Sequence, residues 1–113
     1  MNKIESIVMK YVAFATDYRE ATLGSDYIKA NKCYKKITEC YCKLKDLQAV
    51  SSLKDLLQHE NESVVVWASL HLLPYESKIA EDALARIAKK GGLIAFDAEM
   101  TLKEWKAGRL KIV

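Results

Sequence analysis

The sequence is poor in the residues that interrupt helices and in the motifs that mark common active sites. Its 113 residues include one proline, four glycines and two histidines. It contains no Gly-x-Ser-x-Gly elbow, no His-Glu-x-x-His helix and no glycine-rich phosphate loop. These scarcities exclude a disordered or loop-rich chain, and they leave no common catalytic template among the local motifs. We therefore expect a protein without enzymatic activity.

Long apolar runs and strong charge of one sign are absent as well. No run approaches the length of a transmembrane helix, and the first residues carry Glu5 and lack the apolar segment of a signal peptide. Eighteen Lys and Arg against fifteen Asp and Glu give a net charge of +3, far below the concentrated basic charge of nucleic-acid-binding domains. We expect a cytoplasmic protein that does not contact a membrane.

The composition is typical of one compact helical domain. Half of the residues are hydrophobic and 29% are charged, and the chain is long enough to form a core without disulfides or metal. The three cysteines, Cys33, Cys40 and Cys42, lie on one predicted helix. Cys40 and Cys42 would point about 200° apart, whereas paired ligands from one helix sit three or four residues apart. We expect structural thiols, and neither a metal nor another cofactor.

Two long helices are predicted for the first half of the chain. Apolar residues recur at helical spacing from Lys3 to Leu23, and Gly24 ends this segment. Ser25 or Asp26 is placed to cap the next helix, which runs from Tyr27 to Leu47 with an apolar stripe. Lysines lie largely off that stripe, at Lys29, Lys32, Lys35, Lys36 and Lys43. They indicate a solvated face, because bidentate phosphate recognition favours Arg over Lys. A phosphate-binding face is the alternative.

Shorter helices in two successive hairpins are predicted for the second half. The first contains Leu53, Leu56 and Leu57 and is opened by Ser51 or Ser52. Ser63 then caps an almost wholly apolar segment, which Pro74 ends. Ser77 caps the next helix, and Gly91-Gly92 ends it. The last helix is Leu93–Lys106. Successive short hairpins are typical of helical solenoids, so the fold is predicted to be all-α with about five to six helices.

The apolar segment Ser63–Leu73 is the most unusual part of the sequence. A helix that is apolar on all sides is either buried between neighbours or presents a face to a partner. Val64–Trp67 also fits a buried strand, but the sequence offers no second strand to pair with it. The neighbours of His71 at three and four residues are apolar or small, so it is interpreted as a packed or interface histidine. His59, at the end of the preceding helix, is interpreted as a partly cationic cap.

Two parts of the sequence resemble known families. Leu56–Ala68 resembles the helix-turn-helix of a HEAT-type repeat. Gly24–Asn31 and Phe96–Gly108 together resemble a small bacterial all-helical family described only as a domain of unknown function, over nearly the whole chain. That family implies a HEAT-like fold. Its members are similar to immunity proteins encoded beside secreted or contact-delivered toxins, as in contact-dependent growth inhibition, so the resemblance implies a protein that binds and blocks a cognate toxin domain.

The resemblance and the residues together predict two sets of site residues. A rigid helical scaffold inhibits a toxin by covering its active site, and an acidic edge with adjoining aromatic anchors would suit a basic ribonuclease. The predicted partner-binding set is Glu60, Glu62, Trp67, His71, Tyr75, Glu76, Glu81 and Asp82. Asp26, Asn31, Asp97 and Glu99 match recurring residues of the family and are interpreted, with Trp105, as structural: caps, internal hydrogen-bonding groups and core.

Two alternatives remain open. The first is a nucleic-acid-binding helical repeat that uses the lysines of the second helix with Lys103, Lys106, Arg109 and Lys111. Its affinity would fall steeply with added salt, whereas an immunity complex would stay specific for one protein. The second is a homodimer formed through the apolar Ser63–Leu73 face, which light scattering would detect.

Overall fold

The fold of the protein is all-α in a computed structural model that describes residues 2–112. The helices are α1 (Lys3–Leu23), α2 (Tyr27–Asp46), a 3-10 helix (Val50–Gln58), α3 (Glu62–Leu72), α4 (Ser77–Ala88) and α5 (Leu93–Lys106). The predicted fold class is therefore confirmed. The strand alternative for Val64–Trp67 is excluded, because this segment lies inside α3. None of the helices within residues 2–112 is long and apolar enough to cross a membrane.

The chain divides into two compact units, one ending at Ser52 and one beginning at Leu53. The prediction of a single domain stays a prediction. In the first unit, α1 and α2 pack against each other as a hairpin. Tyr11, Ala15, Ile37 and Leu44 are fully buried in its core, because each lies on the apolar stripe of its helix.

The turn between α1 and α2 agrees with the sequence pattern. Gly24 is the C-cap of α1. Its N–H donates to the carbonyl oxygen of Glu20, and the N–H of Ser25 donates to that of Thr22. Of the two candidates for the N-cap of α2, the structure selects Asp26, whose side chain accepts a hydrogen bond from the N–H of Lys29. Ser25 occupies the turn with a positive φ of 58°.

In the second unit, α3 packs against α4, and α5 packs against both. Several buried positions along these helices carry alanine, namely Ala68, Ala80, Ala83, Ala95 and Ala98. Small side chains allow helix backbones to approach closely, and larger residues such as Leu72, Leu84 and Ile87 fill the remaining space. The apolar character of α3 on all sides is thus explained by burial, since most of its residues are enclosed.

Three predicted helix starts in this half are wrong. Asn61, not Ser63, is the N-cap of α3, and its side chain accepts from the N–H of Ser63. Ser77 is the first residue of α4 rather than its cap, and its hydroxyl donates to the carbonyl oxygen of Leu73. The segment that Ser51 or Ser52 was expected to open is a 3-10 helix beginning at Val50. Ser63 does not cap α3 because the side chain of Asn61 accepts the backbone hydrogen bond instead. Ser77 does not cap α4 because its hydroxyl donates to the preceding carbonyl oxygen of Leu73.

Candidate functional site

Two of the predicted aromatic anchors are core residues. Trp67 and His71 are buried on α3, with ring centroids 5.8 Å apart. Burial lowers the pKa of His71 to about 3, because the charged imidazolium is poorly solvated there. The prediction that these two side chains contact a partner is therefore wrong for the folded chain. Tyr75, which follows Pro74, is exposed and stays a candidate.

The predicted acidic edge is largely neutralised by neighbouring lysines. Glu62 pairs with Lys90 at 2.8 Å, and Glu76 pairs with Lys54 at 3.4 Å. The exposed Asp82 lies 3.9 Å from Lys78 on the same helix. Each pair cancels charge locally, so these carboxylates present less negative potential than the sequence suggests.

The remaining carboxylates of that edge differ from each other. Glu60 is exposed and takes part in none of the ion pairs within residues 2–112. Glu81 instead accepts a hydrogen bond from the indole Nε1 of Trp105 at 3.1 Å, which joins α4 to α5. Glu81 and Trp105 thus contribute to the packing of two helices.

A small cleft of about 200 Å³ lies where the 3-10 helix, α3 and α4 meet. His59 lines it, and its Nδ1 accepts a hydrogen bond from the N–H of Asn61 at 2.9 Å. The interpretation of His59 as a partly cationic cap stays a prediction. Arg86 also lines the cleft and donates to the carbonyl oxygen of Leu57 at 2.6 Å. The charged groups here hold the local fold together.

Three of the residues shared with the resembled family lie on the surface. Asn31 on α2 and Asp97 and Glu99 on α5 are all exposed. Glu99 forms an ion pair with Lys103 at 3.2 Å within the same helix. Asn31 and Glu99 are therefore not buried junction groups, the hydrogen-bonding role of Asp97 stays a prediction, and Asp26 is the cap of α2.

The thiols have surroundings that suit a structural role. Cys33 and Cys40 are buried, Cys42 is half-buried, and all are free. Burial raises the pKa of Cys33 and of Cys40, which keeps both thiols protonated and unreactive at neutral pH. No group of three His, Cys, Asp or Glu side chains in the described part of the chain is placed to hold a metal ion.

The outer face of α5 carries a stripe of exposed apolar side chains. Leu93 is 69% exposed, Phe96 is 59% exposed and Met100 is 39% exposed. Their spacing of three and four residues places them on one face, about half a turn from the buried Ile94 and Ala98. We call Leu93, Phe96 and Met100 the α5 stripe. A surface helix normally has one apolar side, whereas α5 has two.

Acidic side chains border the α5 stripe. Asp97 follows Phe96 directly, and Glu99 precedes Met100. None of the contact residues predicted from the sequence lies within this stripe. Its signal was available in the run Leu93–Phe96, where apolar residues occupy every side of the first helical turn.

Comparison with known proteins adds information on the fold. No family model matches the chain, and no curated protein matches it significantly. The structure is similar to the crystal structure of the protein RPA1889 from Rhodopseudomonas palustris CGA009, with a TM-score of 0.89 and 23% sequence identity. The similarity covers 96% of this chain and 93% of that one. At this identity, the two proteins are shown to share an all-helical fold.

Proposed function

We propose that this protein is a non-catalytic protein-binding module and that it serves as a bacterial cytoplasmic immunity protein that neutralises a cognate toxin domain. The observation that carries the proposal is the α5 stripe. The family resemblance of Gly24–Asn31 and Phe96–Gly108 supports the biological class of the partner. The stripe supports binding through a protein surface rather than through a small-molecule cleft.

The composition of the stripe suits a protein interface. Single exposed apolar residues are common, but several on one helix face form a patch of the kind that marks interaction sites. Phe and Met are enriched at the centres of interfaces, where they are desolvated by the partner. Phe96 lies between Leu93 and Met100 along the helix. Phe96 is therefore the expected energetic centre of the interface.

The acidic border gives the stripe a preference for a basic partner. Asp97 and Glu99 are exposed beside the apolar side chains, and Glu60 is a further exposed carboxylate in the same unit. Toxins that cleave nucleic acid carry basic surfaces, so carboxylates next to an apolar centre would orient such a domain and speed its association. Inhibition then requires only that the bound chain covers the toxin's active site or substrate groove.

The test is co-expression with the C-terminal domain encoded immediately upstream of this chain. We expect rescue of growth and a purified one-to-one complex. Phe96→Glu should weaken the complex by at least about 2 kcal/mol, or about thirtyfold in Kd, because it places a charge at the apolar centre. Its free energy of unfolding should change by less than about 0.5 kcal/mol, because Phe96 is on the surface.

The matched control is Met9→Glu on α1. Met9 is 58% exposed, close to the value for Phe96, and lies in the other unit. This variant should bind the toxin domain as the wild type does. The proposed surface is wrong if Phe96→Glu binds normally. The proposed function is wrong if the upstream domain is not toxic and forms no complex.

A nucleic-acid-binding repeat is the second candidate function. The observation in its favour is a row of exposed lysines on α2, Lys29, Lys32 and Lys35, which take part in none of the ion pairs within residues 2–112. Farther along α2, Lys36 forms an ion pair with Glu39 at 3.7 Å. Steeply salt-dependent binding to oligonucleotides of unrelated sequence would support this candidate over an immunity protein.

A further inference from the structure

A second candidate site lies in the first unit, whereas the α5 stripe belongs to the second. An open cleft of about 510 Å³ lies between the start of α1 and the end of α2. Lys3, Ser6 and Lys10 line one side, at spacings of three and four residues that place them on one face of α1. Lys43 and Asp46 line the α2 side. The volume lies in the range of sites that bind small molecules.

The lysines of this cleft have no compensating carboxylate contact. Lys3, Lys10 and Lys43 take part in none of the ion pairs formed within residues 2–112. Other lysines of the chain do form ion pairs, among them Lys54, Lys90 and Lys103. With Asp46 as the acidic residue of the lining, three cations against one anion leave the cleft with a net charge of +2. Like charges gathered around one cavity repel each other, and a bound anion would relieve that repulsion.

The position of Lys3 argues against a purely helix-stabilising role. Lys3 is the first residue of α1, where the helix dipole presents its positive end and disfavours a cation. Lys43 stands in the last turn of α2, where a cation is favoured. Helix electrostatics therefore accounts for Lys43 and leaves Lys3 unexplained. A ligand of negative charge accounts for both.

The buried thiol of Cys40 lies near charged groups from both sides of the cleft and near Lys36 and Glu39, which do not line it. Burial raises its pKa, while Lys43 and Lys10, one from each side of the cleft, act in the opposite direction. Both ammonium groups thus act on a single point in the first unit. The hydroxyl of Ser6 adds a hydrogen-bond donor to the lining, and Ile7 supplies an apolar, buried base.

We propose that the cleft lined by Lys3, Lys10 and Lys43 binds a small diphosphate-type anion. Lysine binds phosphate oxygens as a point charge without demanding one orientation, which suits an open cleft with three such groups. The volume of the cleft and the number of its cations favour two linked phosphates over a single tetrahedral anion. The site lies wholly in the first unit and does not depend on the proposed function.

The test is a titration of the full chain, labelled with ¹⁵N, with pyrophosphate at an ionic strength of about 0.1 M. Saturable shifts are expected in amide signals of residues 3–10 and 43–47. The double variant Lys10→Gln/Lys43→Gln should weaken binding at least about tenfold, because it removes two of the three charge-assisted contacts. Glutamine keeps most of the aliphatic stem, and both lysines are exposed, so the fold should be retained. The single variant Lys10→Gln, with a smaller loss, tests the site if the double variant unfolds.

The matched control is Lys32→Gln/Lys35→Gln, which removes the same charge from another exposed part of α2. Its affinity for pyrophosphate should stay within about twofold of the wild type, because the Debye length is only about 10 Å at 0.1 M salt and screens distant surface charges. Equal weakening in both double variants, or shifts that do not saturate, would overturn the proposal. Tighter binding of a short single-stranded oligonucleotide, with equal losses in both variants, would also overturn it and favour a nucleic-acid surface.

Discussion

His71 is the residue whose surroundings depart most from those of a free side chain. It is 3% exposed, and burial lowers its pKa to about 3. In the unfolded chain the imidazole returns to a pKa of about 6.5. Between these values the unfolded state binds more protons than the folded state, so acid favours unfolding.

We therefore predict that the free energy of unfolding falls by about 2 kcal/mol between pH 7 and pH 5 through His71 alone. The loss begins near pH 6.5, because the folded imidazole stays neutral while the unfolded one gains a proton. Urea unfolding at pH 7, 6 and 5 measures it. His71→Leu cannot titrate and should remove most of this slope. His59→Gln, which changes the other histidine, should retain it, and the reverse pattern would show that His71 is protonated in the folded state.

At the scale of an element, α5 has to satisfy two requirements. Its inner side packs through Ile94 and Ala98, and its outer side exposes the α5 stripe. The hydrogen bond from Trp105 to Glu81 joins its last turns to α4. The inner contacts and this bond hold the outer face in place without any contribution from the stripe.

We predict that the Trp105–Glu81 pair has a coupling free energy of about 1 kcal/mol, as expected for a partly buried hydrogen bond to a carboxylate. The measurement is a double-mutant cycle with Trp105→Phe and Glu81→Ala, in which the free energy of unfolding is determined by urea. Glu99→Ala is the control, because its exposed pair with Lys103 lies within one helix and contributes at most about 0.5 kcal/mol. A coupling near zero would return Glu81 to the candidates for partner binding.

At the scale of the whole molecule, an immunity complex has a thermodynamic consequence. A partner that binds the folded chain alone stabilises it by about 2.7 kcal/mol when its free concentration is a hundred times Kd. We predict this stabilisation for the ¹⁵N-labelled chain mixed with the inactivated upstream domain, measured as slower amide exchange in the buried helices. Phe96→Glu should lose the effect, and Met9→Glu should keep it. Slower exchange at high concentration without the partner would indicate a homodimer instead.

Local sequence patterns were sufficient for most of the helices. Helical spacing and Gly24 predicted a helix that begins near Lys3 and runs on to Leu23, in agreement with α1, and Asp26 was one of two proposed caps for α2. Caps in the second half were predicted less well, because Asn61 and Ser63 are both good capping residues and only the backbone geometry selects between them. The 3-10 helix Val50–Gln58 was expected as a short α-helix, since apolar spacing does not distinguish the two.

The all-α class was determined by the sequence alone, because hydrophobic periodicity and the scarcity of glycine and proline act locally. For Ser63–Leu73 the periodicity was ambiguous, and the lack of a second strand to pair with it favoured a helix. Tertiary structure decided which polar and apolar groups remain at the surface. It buried Trp67 and His71, paired Glu62 and Glu76 with distant lysines, and left Phe96 exposed. Burial and ion pairing depend on residues far apart in the chain, and a linear pattern does not contain those contacts.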